Sequence, residues 1–277
     1  MKNFSLAFCA LLVISFTFNS CTKDEVVNFT DTNSIVASAT IDGINELDFQ
    51  TGTQVTFENA LSKTSSATNV KSLLGACAVV TIDNVTPNSF PKIITIDFGT
   101  GCTTNGITRK GKLKITLSGL VSTPKSTMKI ERENYYVNGM KVEGVILYTN
   151  ETTTAAIPQW SRTITNGKLT SVDGSVYFNS GSHTIRQTEG ANTPLILADN
   201  TYEMISGDHM VSKENGAKLT LSVAVPLVKK YDCNYVSKGK LNVKGPLLNG
   251  TLDYGNGECD NKLTYTHENG MVFNLTM

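Results

Sequence analysis

Segments in which apolar and polar residues alternate dominate the chain from about residue 77 onward. The longest cover residues 109–118, 127–136, 140–148 and 218–225, and they are rich in Val, Ile, Thr and Tyr. A period of two in β-branched and aromatic residues is typical of strands that bury one face. The pattern therefore predicts β structure over most of the protein.

Turn signals separate these segments. Asn138-Gly139 and Asn269-Gly270 lie between alternating runs, and further Asn-Gly pairs begin at residues 105, 166, 215 and 249. Asn-Gly readily adopts the positive φ angles of a type I′ turn, whose twist matches that of paired antiparallel strands. This spacing predicts an up-and-down antiparallel meander, built as a curved sheet or a sandwich.

The pattern is weaker over residues 35–74. Alternation is patchy over residues 35–49, where Asp42-Gly43 offers a turn between two short strands. Over residues 54–74 apolar residues recur at spacings of three and four, which predicts one short helix with poor helix formers in its middle. The predicted fold class is therefore all-β with one short helix near the N-terminus.

The first twenty residues have the composition of an export signal. Lys2 precedes an uncharged apolar run over residues 4–18, and residues 18–21 read Phe-Asn-Ser-Cys before a charged stretch. A small residue directly before a cysteine at the end of such a run resembles the lipobox of bacterial lipoproteins. The resemblance implies a signal peptide over residues 1–20, lipid such as palmitate on Cys21, and the membrane as a partner through that lipid.

An ordinary secretory signal with an incidental Cys21 is the alternative, but no Ala-x-Ala-like cleavage site lies near the end of the apolar run. Residues 21–35 are polar and suit a flexible tether between the lipid and a folded domain. Within this tether, residues 23–25 (Lys-Asp-Glu) resemble the short signal with which some Bacteroidota lipoproteins reach the cell surface.

Export followed by lipidation leaves four cysteines, at positions 77, 102, 233 and 259. An even number of cysteines in an exported chain indicates disulfides. A zinc site built from all four is the competing interpretation, but the sequence has no C-x-x-C pair among them.

An internal duplication selects the pairing. Residues 97–102 (DFGTGC) recur as residues 253–259 (DYGNGEC), and the upstream cysteines are separated by the same offset as the two Asp residues. This predicts disulfides Cys77–Cys102 and Cys233–Cys259 within related modules at 77–102 and 233–259. Each disulfide closes a loop of about 26 residues, for which loop entropy gives about 3–4 kcal/mol.

Length and charge favour one domain without a strongly charged partner. The 277 residues carry 24 basic and 24 acidic side chains, so no overall field attracts nucleic acid. No Pro- or Ser-rich linker lies between the two modules, which predicts a single elongated β domain over residues 36–277, although the duplication leaves two domains open.

Two charged strand faces are candidate binding or catalytic sites. Lys110, Lys112 and Lys114 share one face of a predicted strand, where they could bind phosphates or simply form a solvated surface. Glu131 and Glu133 share a face of the next strand, and paired carboxylates are what a glycosidase needs. Alternating charge on an exposed face explains both sets, and this interpretation is preferred.

Aromatic residues provide the other binding candidates. Trp160, Tyr135 and Tyr136 lie within the meander and, if exposed, could stack on sugar rings or anchor a protein partner; core packing is the alternative for most of them. The three histidines, at positions 183, 209 and 267, show no metal-ligand spacing. Catalytic and nucleotide-binding motifs are absent too, so neither a metal nor a cofactor is predicted.

Several short sequence segments, taken together, resemble a known protein family. Residues 95–102, 109–112, 136–144, 165–170 and 252–261 resemble a recurrent family of Bacteroidota outer-membrane and surface lipoproteins. The resemblance covers roughly residues 77–277. It implies a β fold and lipid anchoring in the outer membrane, at the cell surface or on the periplasmic face, and it implies no activity.

Two classes of function follow. The preferred one is a non-catalytic, lipid-anchored envelope protein that binds a glycan or another envelope protein or has a structural role. The alternative is an enzyme, such as a glycoside hydrolase acting on extracellular polymer. A cleft with converging titratable groups would favour the enzyme, whereas flat sheet faces or an aromatic patch would favour binding.

Overall fold

The computed structural model describes residues 31–61, 74, 76–84, 86, 88–193, 196–214 and 216–277, with side chains of residues 57–61 excluded. These residues form one long α-helix and a 14-stranded antiparallel sheet. The helix, α1, spans Asn33–Leu61. The predicted antiparallel meander with a helix near the N-terminus is confirmed, but the fold is mostly β instead of all-β, and the helix has 29 residues instead of being short. Residues 1–30, including the predicted signal peptide and Cys21, lie outside the described residues.

The strands are short at both ends of the meander and long in its middle. The first seven are β1 Val79–Ile82, β2 Lys92–Asp97, β3 Cys102–Thr104, β4 Ile107–Leu117, β5 Thr127–Val137, β6 Met140–Asn150 and β7 Gln159–Thr170. The second seven are β8 Val176–Glu189, β9 Thr201–Lys213, β10 Lys218–Lys230, β11 Lys238–Lys244, β12 Gly250–Asn256, β13 Lys262–His267 and β14 Val272–Thr276.

Consecutive strands pair side by side along almost the whole sheet. From β4 to β14 each strand pairs with the next, and β2 and β3 both pair with β4. Buried and accessible residues alternate along the strands, as in β2, because only one face of the sheet covers the core. The period-two pattern in the sequence reflects this one-sided burial.

The prediction of two short strands over residues 35–49 was wrong, because this stretch belongs to α1. Asp42-Gly43 lies within the helix and forms no turn. The helix begins inside the range predicted as tether, with the Asp31 carboxylate accepting the Asn33 backbone N–H at 3.1 Å. Of the helix predicted at 54–74, residues 54–61 are helical and 62–73 lie outside the described residues.

The helix lies inside the curve of the sheet. Over residues 34–56 no residue is exposed, although an isolated surface helix would leave one side open to water. Its side chains bond to strands far apart in the meander: Thr51 accepts a hydrogen bond from Arg109 on β4, and Asp42 accepts one from Tyr254 on β12. The sheet must therefore bend around α1 to reach it from several sides.

Bulges supply this bend. Register shifts interrupt the pairing of β4 with β5, of β6 with β7, and of six further strand pairs. Gly111 lies at the first shift with a φ of 82°, and a Cβ there would lie 1.9 Å from the Asn134 carbonyl oxygen. A β-bulge kinks its strand and increases the local twist, so repeated bulges curve the sheet.

Both predicted disulfides are present. Cys77 bonds to Cys102, and Cys233 bonds to Cys259. The first bond lies beside the β1–β2 hairpin and the second beside the β11–β12 hairpin.

The two glycine-rich segments also share local geometry. Asp97 accepts the Gly99 N–H at 2.8 Å, and Asp253 accepts the Gly255 N–H at 2.9 Å. Each Asp also pairs with a lysine of a neighbouring strand. The repeated sequence thus builds the same turn and ion pair twice.

The described Asn-Gly pairs include both turns and a bulge, and Asn215 lies outside the described residues. Asn105-Gly106 and Asn138-Gly139 have positive φ at both residues and connect adjacent strands, as predicted. Asn166-Gly167 does not form a turn. It lies inside β7 at a register shift, because the strand continues past it to pair with β8.

Candidate functional site

A stripe of polar residues on α1 faces the concave side of the sheet. Ser38, Asp42 and Glu46 recur at a spacing of four, which places them on one side of the helix. All three are buried, and their partners come from the strands. Buried polar groups need such partners, because an unpaired one costs about 1–3 kcal/mol.

Arg162 on β7 neutralises this stripe. Its Nη1 donates to Glu46 Oε1 at 2.7 Å, and its Nη2 lies 3.4 Å from Asp42 Oδ1. Burial raises the pKa of Glu46, and the opposing charges of Arg162 and Lys229 hold that rise back. The same burial lowers the pKa of Lys229 to about 8.

Two histidines continue the network. Arg162 Nη2 lies 3.1 Å from His183 Nδ1, and Arg can only donate, so His183 accepts there and carries its proton on Nε2. That Nε2–H donates to His209 Nδ1 at 3.3 Å. His209 then donates from Nε2 to Ser38 Oγ at 2.6 Å.

Both histidines are neutral in this arrangement. Burial lowers the pKa of His183, and the Arg162 cation lowers it further. Burial also lowers the pKa of His209, against the attraction of the Asp42 carboxylate. The direction of each hydrogen bond is therefore fixed from Arg162 to Ser38.

Ser38, His209 and Asp42 superficially match a nucleophile–base–acid set. In a catalytic triad the carboxylate orients the histidine through the nitrogen opposite the serine. Here that nitrogen, Nδ1, is bonded to His183, and Asp42 lies 3.7 Å from the serine-facing Nε2. Ser38 and His209 are also almost fully buried. The cluster fits a structural role in holding the helix to the sheet.

A second ionic cluster lies further along the helix. Arg132 on β5 donates from Nη2 and Nε to Asp48 Oδ2 at 2.6 and 2.9 Å. The Tyr135 hydroxyl donates to Asp48 Oδ1 at 2.8 Å. Tyr135 is thus fully buried and bonded to the helix, so it presents no surface to a ligand.

The remaining charged candidates lie on the convex face. Lys112 pairs with Asp97, Lys114 lies 3.9 Å from Glu131, and the Lys110 ammonium lies over the half-buried Tyr136 ring. Glu133 is exposed. The structure therefore spreads Lys110, Lys112, Lys114 and both glutamates along a surface that carries ion pairs.

A cavity of about 420 Å³ opens at one end of the sheet. The β4–β5, β6–β7 and β8–β9 connections border it, because alternate hairpins of a meander lie at the same end. The apolar part of its lining comes from Val121, Pro124, Ala155, Pro158, Trp160 and Ala191. Trp160 is the one aromatic candidate from the sequence that the structure brings to this site.

Helix α1 supports the aromatic wall of the cavity. Phe49 lies 5.8 Å from Trp160 and 5.3 Å from Tyr202, measured between ring centroids, and Trp160 lies 6.2 Å from Tyr202. The Trp160 indole N–H donates to the Val121 carbonyl at 3.2 Å. These contacts fix both rings before any ligand enters.

Hydrogen-bonded side-chain amides orient the polar groups of the cavity. Gln187 Nε2 donates to Asn200 Oδ1 at 2.9 Å, and Asn200 Nδ2 donates to the Tyr202 hydroxyl oxygen at 2.9 Å. This hydroxyl accepts that hydrogen bond and donates to none of the described residues, so its own proton is available to a ligand. The burial of Tyr202 raises its pKa, so the hydroxyl keeps that proton.

The cavity carries no formal charge on its described lining. Its polar residues are uncharged, and they include Thr53, Ser122, Thr152, Gln187, Asn200 and Tyr202. Acid–base chemistry would require a group that titrates within reach, whereas binding of an uncharged molecule would not.

Sequence reasoning missed both the histidine pair and most of the cavity. His183 and His209 lie on adjacent strands, and the spacing along the chain gave no sign of their contact. The spacing of Ser38, Asp42 and Glu46 was a usable signal for a polar helix face. Thr53 comes from the helix and Gln187 and Tyr202 from the paired strands β8 and β9, with no shared motif.

Within the described ranges, no three metal-binding side chains are grouped so as to hold an ion. The helix described here is not apolar enough to cross a membrane. Comparisons with protein-family models, curated proteins and solved structures found no match.

Proposed function

We propose that this protein is a non-catalytic, lipid-anchored envelope protein that binds a small uncharged ligand in the cavity beside Trp160. The observation that carries the proposal is the uncharged, partly aromatic lining of that cavity. Its volume of about 420 Å³ falls within the range of about 300–1,000 Å³ typical of small-molecule sites. The ligand is a glycan end or a similar small group of an envelope component.

The positions of the carboxylates favour binding over hydrolysis. A glycoside hydrolase needs two carboxyl groups on either side of the scissile bond, about 5–9.5 Å apart. Glu131 lies on the convex face and pairs with Lys129 at 3.1 Å. Asp42 and Glu46 are sealed beneath the sheet beside Arg162. Neither pair borders the cavity, so hydrolysis is the less supported alternative.

Lipid anchoring through Cys21 is the second part of the proposal. Two disulfides support export to an oxidising compartment, because such bonds persist outside the reducing cytosol. The proposed location is the outer membrane, with the domain at the cell surface or on the periplasmic side. Cys21→Ser should release the protein from the membrane fraction, and unchanged fractionation would reject the anchor.

Trp160 offers a direct assay for ligand binding, because it is the only tryptophan in the chain. Full-length protein, purified in a detergent without sugar headgroups, is titrated with fractionated envelope glycans while tryptophan emission is recorded. We expect a saturable change in emission and no release of reducing ends. Release of reducing ends would favour the hydrolase, and unchanged emission with every fraction would reject the cavity as a binding site.

A further inference from the structure

We infer that the cavity binds a neutral saccharide, held by the Tyr202 hydroxyl against the Trp160 ring. This inference rests on the proposed binding function and names its ligand class. The argument uses the charge, the hydrogen-bonding capacity and the size of the cavity.

The uncharged lining of the cavity disfavours ionic ligands. No cationic side chain is among the described lining residues to hold a phosphate or carboxylate, and no anionic one is present there to hold an amine. Moving an unpaired ion out of water carries a penalty of several kcal/mol. An acidic sugar, a phosphate ester or an amino sugar with a free amine would meet this penalty, whereas a neutral saccharide would not.

Hydrogen-bonding capacity separates saccharides from purely apolar molecules. The Tyr202 hydroxyl accepts from Asn200 and is left with a proton to donate. An apolar ligand would cover that donor without replacing its partner, at about 1–3 kcal/mol. Sugar hydroxyls both donate and accept, while the C–H face of the ring packs on an aromatic wall such as Trp160.

Thr53 on α1 adds an independent observation. Two other threonines of the helix satisfy their hydroxyls locally: Thr51 donates to the Leu47 carbonyl at 2.8 Å, and Thr56 donates to the Gly52 carbonyl at 2.7 Å. Thr53 lines the same cavity, and its buried hydroxyl has no partner among the described residues. Threonine uses two χ1 rotamers in helices, so this hydroxyl can turn toward a bound sugar.

The size of the cavity limits how much of a glycan can enter. A volume of about 420 Å³ lies near the lower end of the range for small-molecule sites. It suits the end of an oligosaccharide, because a polymer chain would need an open groove. The inferred ligand is therefore a terminal neutral sugar or a short neutral saccharide.

The test measures Trp160 emission in full-length protein with a defined panel of probes. Neutral disaccharides of glucose, galactose, mannose and N-acetylglucosamine are compared with a disaccharide that ends in a uronic acid and with a fatty alcohol. At least one neutral disaccharide should change the emission saturably, and the acidic probe and the fatty alcohol should bind at least tenfold more weakly.

Substitutions of cavity residues test which side chains contact the disaccharide. Tyr202→Phe and Thr53→Val should each weaken binding of the neutral disaccharide about tenfold, and Thr53→Ser should restore it because serine keeps the hydroxyl. Thr220→Val, on an exposed position of β10, is the matched control and should bind like the wild type.

The outcomes separate this inference from the proposed function. If the acidic probe or the fatty alcohol binds and the neutral disaccharides do not, the saccharide inference is overturned and the cavity remains a binding site. Unchanged emission with the whole panel overturns the inference. If the envelope fractions also leave the emission unchanged, the proposed function fails with it.

Discussion

Arg162 is fully buried between two carboxylates of α1. A buried ion pair is not by itself strong evidence of stability, because desolvation offsets much of the attraction. Removing one partner is different, since it leaves the other charge buried and uncompensated. Here the removal of the Arg162 guanidinium would leave Asp42 and Glu46 buried side by side without that cation.

We therefore expect Arg162→Met to lower the free energy of unfolding by about 3–5 kcal/mol. Arg186→Met is the matched control, because Arg186 pairs with Glu203 at 2.6 Å but its side chain is 38% exposed. Exposed pairs contribute about 0–1 kcal/mol. Urea unfolding of both variants checks this, and equal losses would contradict the role assigned to the buried cluster.

The histidine pair predicts how stability depends on pH. His183 and His209 have lowered pKa values in the folded protein, whereas an unfolded histidine titrates near about 6.5. The folded state then binds fewer protons than the unfolded state below that pH. Their contribution is fully present above about pH 6.5 and falls by up to about 1.4 kcal/mol per pH unit for each histidine as the pH drops.

His183→Gln isolates this effect, because glutamine keeps an acceptor and a donor but does not titrate. Urea unfolding between about pH 7.5 and 5.5 stays above the usual titration of carboxylates. The raised pKa of Glu46 acts in the opposite direction and is common to both proteins. We expect a shallower loss of stability in the variant, and identical slopes would show that His183 does not stay neutral.

At the level of elements, the strands were predictable, whereas only the C-terminal part of the helix, residues 54–61, was predicted. Strands bury one face, so the sequence carries a period of two, and Asn138-Gly139 marks its turn by chemistry alone. Helix α1 has no exposed residue over 34–56 and no apolar stripe, while Ile, Val and Thr are common in it and favour strands locally. Tertiary burial overrode that preference.

Gly43 distinguishes the observed helix from the turn that the sequence suggested. It lies within α1 without a positive φ, and nothing lies within 4 Å of an added Cβ. Gly43→Ala should therefore stabilise the protein by about 0.4–1 kcal/mol. Had Asp42-Gly43 formed a turn with positive φ, the same change would destabilise it.

Gly99→Ala is the control for this prediction. Gly99 also has open space around an added Cβ, but its φ is +58°, a left-handed conformation that costs a residue with a side chain about 1–2 kcal/mol. Thermal unfolding should move the two variants in opposite directions. A loss of stability in both would contradict the helical assignment of Gly43.

At the scale of the whole molecule, one sheet bends around one helix and leaves a cavity at its end. Phe49, Trp160 and Tyr202 meet there because α1 enters the curve of the sheet and alternate hairpins meet at the same end. No local pattern could predict this meeting, because each residue comes from a different part of the chain. The disulfides were predictable, because the duplicated segments indicate which cysteine pairs with which.

A crystal structure of the full-length protein with a bound neutral disaccharide tests the central claim most directly. We predict a sugar ring in the cavity, packed on Trp160 and within hydrogen-bond distance of the Tyr202 hydroxyl, with α1 enclosed by the curved sheet. A disaccharide bound instead on the convex face near Tyr136, with the cavity empty, would contradict the account.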